Sequence, residues 1–247
     1  MSEIRISNII YLNTLPFRYG LASYKFPEKY HVSISEDFPS ECARKLAANE
    51  CEIGIVPVAV TGNLNEYRIT TDYCIASLNE VRSVMLFSEC PLSEITAIYM
   101  DYQSRTSIRL LKYLSSEKWH RSFQWLESHA GYESKISGKT AGLVIGDRAL
   151  SLCGKFPYQY DLATEWNELT GLPFVFAVWV AHKSVPEDFL LHFNNSLKFG
   201  IGNIRIAAES VKGKYPYEIM SYLKNNIYYH YDENCRKAVD FFLKSAF

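Results

Sequence analysis

The sequence predicts an α/β protein of two lobes with a ligand cleft between them, and three observations carry that prediction. Short apolar runs alternate with segments of helical periodicity from the N-terminus onward, the pattern of a strand–helix–strand sheet. A second alternation of the same kind begins near Ile98. Two apolar runs, residues 81–88 (VRSVMLFS) and 174–181 (FVFAVWVA), stand where a chain would cross out of one lobe and back into it. On this expectation residues 1–88 with 176–247 form one lobe and residues 89–175 the other.

The elements follow in order. Residues 4–10 read as a strand, and Pro16 suits the first turn of a helix that Asn13 or Thr14 would cap. Residues 30–35 alternate like a second strand. Phe38-Pro39-Ser40 opens a helix over 41–49, with Cys42, Ala43 and Leu46 toward the core. Residues 53–56 form a buried strand stopped by Pro57, and 71–77 form another. This β-α-β-α-β start predicts a largely parallel sheet. The run 81–88 is a strand with Ser83 and Ser88 as its polar members. Pro91 and Ser93 break the pattern before a strand at Ile98 and a helix from Ser104, whose apolar face is Ile108, Leu111 and Leu114 with Leu110 beside them. A short strand falls within 119–127. Residues 141–145 are a small apolar strand ending in Gly146-Asp147. Residues 160–169 read as a helix that stops at Thr170-Gly171, with Pro173 beyond it. The run 174–181 is continuously apolar, as a strand buried on both faces would be. Pro186 opens a helical pattern through 211, and 217–226 and 232–243 complete a helical C-terminus. No internal repeat and no Gly/Ser-rich or Pro-rich linker interrupts the chain.

Composition narrows the functional classes. With 247 residues, 48% of them hydrophobic, the chain can bury a substantial core. A net charge of −1 argues against a general nucleic-acid or polyanion binder, but not against a small anion held by a few local donors. No stretch approaches the roughly 20 apolar residues that span a bilayer. The N-terminal residues lack a long apolar signal core. The six cysteines are irregularly spaced, without a Cys-x-x-Cys pair. Free thiols in a reducing cytoplasm are therefore expected.

Three strand–polar–helix junctions are the candidate binding elements. The most informative is Asp101-Tyr102-Gln103-Ser104-Arg105-Thr106-Ser107. The first turn of a helix carries backbone N–H groups without helical partners, and with the helix dipole these attract an anion. Ser104, Thr106 and Ser107 add hydroxyl donors, and Arg105 adds a planar fork suited to a carboxylate. Tyr11–Pro16 and Gly146-Asp147 are the other two, Gly146 allowing a ligand close to the backbone. Each also admits a plainer role, in which Ser104, Thr106, Asn13 or Asp147 simply caps a helix and Arg105 is solvated.

Several chemistries find no motif. There is no phosphate-binding G-x-x-x-x-G-K-[ST], no dinucleotide G-x-G-x-x-G, no H-E-x-x-H and no G-x-S-x-G. The six histidines are scattered, and His182, after the second apolar run, is expected to be structural. The residues alone predict a two-lobed binder of a small anion, without naming a reaction.

Taken in series, Tyr11-Leu12-Asn13-Thr14-Leu15-Pro16, Ser83-Val84, Ser104-Arg105-Thr106-Ser107, Ile145-Gly146-Asp147 and Thr170-Gly171-Leu172-Pro173-Phe174-Val175-Phe176-Ala177 resemble the MqnA family, the chorismate dehydratases of the futalosine route to menaquinone. The resemblance spans nearly the whole chain. It implies a type II periplasmic-binding-protein-like fold in the cytoplasm, no metal and no organic cofactor, and loss of water from chorismate, a small dicarboxylate, to give 3-[(1-carboxyvinyl)oxy]benzoate. It implies Asn13 and Ser83 as the residues nearest the chemistry. Ser104, Arg105, Thr106, Ser107, Gly146 and Asp147 are then expected to bind substrate. The sister MqnD family, which cleaves a futalosine-derived nucleoside, typically carries Ser-Pro-Cys-Pro-Asn-Asp-Thr-like and His-Glu segments where this chain has Tyr-Leu-Asn-Thr-Leu-Pro and Gly146-Asp147. A non-catalytic carboxylate binder of the same fold and a ligand-sensing module are competing readings. Trp179 and Phe174 are expected in the core rather than in the pocket. No segment specifies an oligomeric state.

Overall fold

The computed structural model describes residues 2–245; Met1, Ala246 and Phe247, expected in the first lobe, lie outside the described residues. The N-terminal third gives β1 (Ser2–Ile9), α1 (Leu15–Ser23), β2 (Tyr30–Asp37), α2 (Pro39–Ala47), β3 (Ile53–Pro57) and β4 (Tyr67–Ser77). The middle gives β5 (Val84–Ser88), β6 (Ala97–Tyr99), α3 (Arg105–Glu117), β7 (Gln124–Leu126), β8 (Thr140–Ile145), α4 (Gly146–Leu152), β9 (Tyr158–Asp161) and α5 (Leu162–Thr170). The chain returns through β10 (Phe174–His182), α6 (Glu187–Gly202), α7 (Ile204–Glu209), α8 (Ile219–Ser221), a π turn (Tyr222–Asn226), β11 (Tyr228–His230) and α9 (Glu233–Ser245).

Two sheets result. The first has the order β11-β4-β10-β3-β1-β2 and the second β7-β6-β8-β5-β9. The first is mixed rather than largely parallel. β2, β1 and β3 run parallel, but the returning β10 inserts antiparallel between β3 and β4. A local βαβ pattern cannot announce a strand that arrives much later in the chain. The composition of β10 suits its central place: Phe174 through Ala181 are all buried. Trp179 packs edge-on against Phe17 and Phe193, and Phe174 against Trp166 and Phe242, so both aromatics belong to the core as expected. Helix α1 lies close against α6 because Gly20 and Gly200 face each other, where a Cβ on either would collide with backbone.

Several boundaries differ from those the sequence suggests. β5 begins at Val84 and pairs on both sides inside the second sheet, with β8 and β9. The outward crossing is therefore 78–83, and the sheets divide between Ser77 and Val84 and again before Phe174, where the sequence suggested 88/89 and 175/176. The extended run fails at Arg82, which adopts φ +60. Residues 158–161, of which the last two read as the start of a helix, form the edge strand β9, and the helix proper begins after Asp161. The long C-terminal pattern from Pro186 is broken at Asn203. Within 217–226 only three residues are α-helical before the π turn, and β11 was not anticipated. Thr14 does not cap α1 through its side chain; its hydroxyl instead donates to the carbonyls of Ile9 and Tyr11.

Asp161 pins the crossing. Its carboxylate accepts the N–H groups of Ala163 and Thr164 as the cap of α5, and those of Val81 (2.9 Å) and Arg82 (2.6 Å) from the crossing. Burial pushes this carboxyl up to about 6, against the pull of the four N–H donors. Between about pH 4 and pH 6 the folded protein thus holds a proton that the unfolded chain has released. The stability this group contributes falls as the pH rises through that window, by up to about 3 kcal/mol. Urea unfolding across pH 4–7 should show this slope in the wild type and lack it in Asp161→Asn; parallel curves for the two proteins would contradict the assignment.

Candidate active site

The second lobe builds the floor of the cleft from two strand-to-helix junctions, β6–α3 and β8–α4. They are joined by Asp101, which is fully buried. Its carboxylate accepts the backbone N–H of Gln103 (2.9 Å), the backbone N–H of Ile145 (3.0 Å) and the hydroxyl of Tyr132 (3.0 Å). Arg148 donates to both its oxygens, at 2.9 and 2.7 Å. Arg148 also pairs with Glu133 and lies over the rings of Tyr102 and Tyr132. Burial opposes the charge on this guanidinium, but Asp101 and Glu133 outweigh it and raise its pKa. A buried carboxylate surrounded by donors in this way holds its neighbours in register.

Helix α3 starts above this pair. Ser104 is its N-cap, its Oγ accepting the Ser107 N–H at 3.0 Å. The capping role is therefore real, but it uses the oxygen and leaves the Ser104 O–H to donate. Thr106 Oγ1 likewise accepts the N–H of Ala59 at 3.1 Å and keeps its own proton. Among the described residues, no protein acceptor takes a proton from the hydroxyls of Ser104, Thr106 or Ser107. Three O–H donors thus gather with the uncapped first-turn N–H groups, an arrangement whose chemistry suits a carboxylate.

These groups face a cavity of about 560 Å³, part of it open to solvent, enclosed by both lobes. Six of the eight expected residues line it: Asn13, Ser83, Ser104, Thr106, Ser107 and Gly146. Asn13 sits in the 3₁₀ turn Leu12–Thr14 after β1, and its side-chain Oδ1 is buried without a partner among the described residues. Ser83 is buried at the end of the crossing, where its carbonyl accepts the Gly146 N–H at 2.8 Å. Gly146 adopts φ +65, and a Cβ there would stand 3.2 Å from the Tyr11 ring, so glycine permits both the turn and the approach of the two lobes.

Arg105 and Asp147 lie elsewhere. Arg105 is exposed in an adjoining groove of about 990 Å³ that shares Pro39, Pro57 and Gln103 with the cavity. Each helical step turns a side chain by about 100°. Arg105 can therefore sit outside while its neighbours face inward. Asp147 does not cap its own helix; it accepts the Leu12 N–H from the opposite lobe at 3.2 Å. Burial raises its pKa. His182 bonds Ser184 and is absent from the lining, as is every other histidine.

Tyr11 and Gln103 stand in the candidate junctions but are not among the expected site residues, and both line the cavity. Tyr11 reaches across the cleft to donate to Gln103 Oε1 at 2.7 Å, and Arg148 donates to the same oxygen at 2.9 Å. Gln103 carries no local signal, because its role arises from a contact 92 residues away. With the Leu12–Asp147 bond, the Ala59–Thr106 bond and an Arg109 donation to the Ala59 carbonyl at 3.3 Å, these contacts hold the cleft closed. Among the described residues Tyr11 is the one acid–base side chain of the lining, and burial together with Asp101 raises its pKa, so its hydroxyl stays a donor. Among the described residues no group of three or more His, Cys, Asp or Glu is placed to hold a metal ion, and no helix is long and apolar enough to cross a membrane.

Two sheets, a double crossing and a cleft lined from both sides define a periplasmic-binding-protein fold. Solved structures agree at the level of fold. An ABC transporter protein of Parabacteroides distasonis is 17% identical and superposes with a TM-score of 0.69, covering 100% of this chain and 92% of its own. A Candida albicans protein described as having the generic periplasmic binding protein fold is 10% identical, with a TM-score of 0.64 over 100% of this chain and 90% of its own. Sequence comparison is more specific: residues 4–247 match the menaquinone biosynthesis family, and the chain belongs to that family. A chorismate dehydratase of Thermus thermophilus is 26% identical over 263 residues, covering 95% of this chain and 92% of the relative.

The buried pair beneath the floor yields a direct test. Asp101→Asn leaves Arg148 with only the Glu133 carboxylate and removes the charge that four groups donate to, and it should cost about 3 kcal/mol in urea unfolding. A loss below about 1 kcal/mol, the size expected of a surface ion pair, would contradict the central place given to Asp101.

Proposed function

We propose that this protein is a chorismate dehydratase acting in menaquinone biosynthesis. The observation that carries the proposal is the make-up of the cavity between the lobes. Three free hydroxyl donors gather at a helix start, opposite an orphaned Asn13 acceptor and Ser83, and the lining holds no carboxylate, histidine or lysine. Such a cavity suits a dianion that brings its own base. The membership of the family and the similarity to a chorismate dehydratase support the same choice.

Chorismate carries two carboxylates, and a ring hydroxyl next to the carbon that bears the enolpyruvyl ether. One carboxylate binds at the α3 start, where each charge-assisted hydrogen bond contributes on the order of 1.5–3 kcal/mol. The Asn13 Oδ1 accepts the proton of the ring hydroxyl and so fixes that group's orientation. The Ser83 hydroxyl donates to the oxygen that departs. The enolpyruvyl carboxylate takes the proton from the ether-bearing carbon and passes it to the departing hydroxyl as the C–O bond breaks, so that water leaves, the carboxylate is regenerated and the ring becomes aromatic. Closure of the lobes contributes by holding this geometry and excluding bulk solvent. Arg105 acts at the mouth as an exposed positive charge that draws the dianion in. Asp147 acts by joining the lobes. The free state of all six cysteines supports a cytoplasmic setting, where the reaction needs neither metal nor organic cofactor.

Purified protein incubated with chorismate should produce an aromatic compound lighter by one water, followed by mass and absorbance. Asn13→Ala and Ser83→Ala should each lower kcat about 100-fold with KM little changed. Unchanged chorismate with the wild type, or cleavage of a futalosine-derived nucleoside instead, would overturn the assignment.

A further inference from the structure

The C-terminal segment around the π turn is not explained by packing alone. π turns are rare and concentrate at functional sites. This one, Tyr222–Asn226, lies one residue before β11, and the turn and the strand each place buried polar groups behind the site. Tyr229, 4% exposed, donates its hydroxyl to the backbone carbonyl of Asn13 at 2.9 Å, while its ring packs edge-on against Phe17. Tyr222, 3% exposed, opens the π turn, and its buried phenol interacts with the Ser83 side chain. Asn226 donates to the Glu80 carbonyl at 3.1 Å, in the crossing that delivers Ser83. Neither tyrosine lines the cavity.

From these contacts we infer that Tyr222 and Tyr229 are positioning residues, each setting one of the two groups assigned to the chemistry. The inference rests on the roles proposed above for Asn13 and Ser83. Tyr229 fixes the 3₁₀ turn from behind, so that the Asn13 amide projects into the cavity without a protein partner for its oxygen. Tyr222 sets the rotamer of Ser83, so that its hydroxyl meets the departing oxygen. Burial holds both phenols well above their usual titration range, so both stay protonated.

The test uses the full chain with Tyr222→Phe and Tyr229→Phe, which remove one hydroxyl each and keep the rings. Tyr228→Phe is the control, because that hydroxyl bonds Asp232 and the residue does not line the cavity. Each positioning variant should lower kcat on chorismate about 10-fold with KM within about 2-fold, since a small misplacement of a reacting group is costly in rate. The control should keep wild-type kcat. Unchanged kcat in both variants, with an active wild type, overturns the inference and leaves the proposed function intact. Equal losses in the control and both variants, tracking thermal stability, also overturn it by reducing the segment to a structural role. A wild type without turnover of chorismate removes both readings together.

Discussion

The buried ion pair between Asp101 and Arg148 is the constraint from which the rest of the site follows. A carboxylate out of water is costly unless its lone pairs are met by donors, and here they are met by two backbone N–H groups, a tyrosine hydroxyl and a guanidinium. Those donors come from both junctions of the second lobe. Satisfying the charge therefore also fixes where α3 and α4 begin relative to each other. It leaves Arg148 with a donor hydrogen for Gln103, and Gln103 with an acceptor that meets Tyr11 from the first lobe. One buried charge thus connects the floor of the cleft to its closure.

The chemistry of the cavity is that of neutral donors in an enclosed space. Charged partners for a dianion would have to be desolvated along with it. Hydroxyl and backbone donors at a helix start carry a smaller desolvation cost and are already oriented. The arrangement also separates two tasks that the linear motif merges. Ser104, Thr106 and Ser107 face inward with hydroxyls free to donate, while Arg105 stands in the outer groove.

Much of the fold was legible because its signals are local. Strand and helix periodicities located β1 to β4, the start of α3 and the apolar β10, and the five motifs in series indicated the family. The cavity-facing hydroxyls were legible for the same reason, since a helix start announces its donors. What escaped depends on contacts between distant residues. Tyr11 and Gln103 matter only because the lobes meet. Asp147 looks like a cap in one dimension, yet the Leu12 N–H reaches it from the other lobe. The antiparallel insertion of β10 and the three-residue edge strand β11 are decided by partners rather than by propensity. The stretch 158–161 is too short for periodicity to separate an edge strand from the helix that follows.

The most direct measurement is a crystal structure of the protein with its proposed aromatic product, 3-[(1-carboxyvinyl)oxy]benzoate, bound. One carboxylate is expected within hydrogen-bonding distance of the Ser104, Thr106 and Ser107 hydroxyls, with the ring between Asn13 and Ser83 and the Tyr11–Gln103 contact intact. A ligand held by Arg105 in the outer groove, with the inner donors untouched, would contradict the central place given to the α3 start.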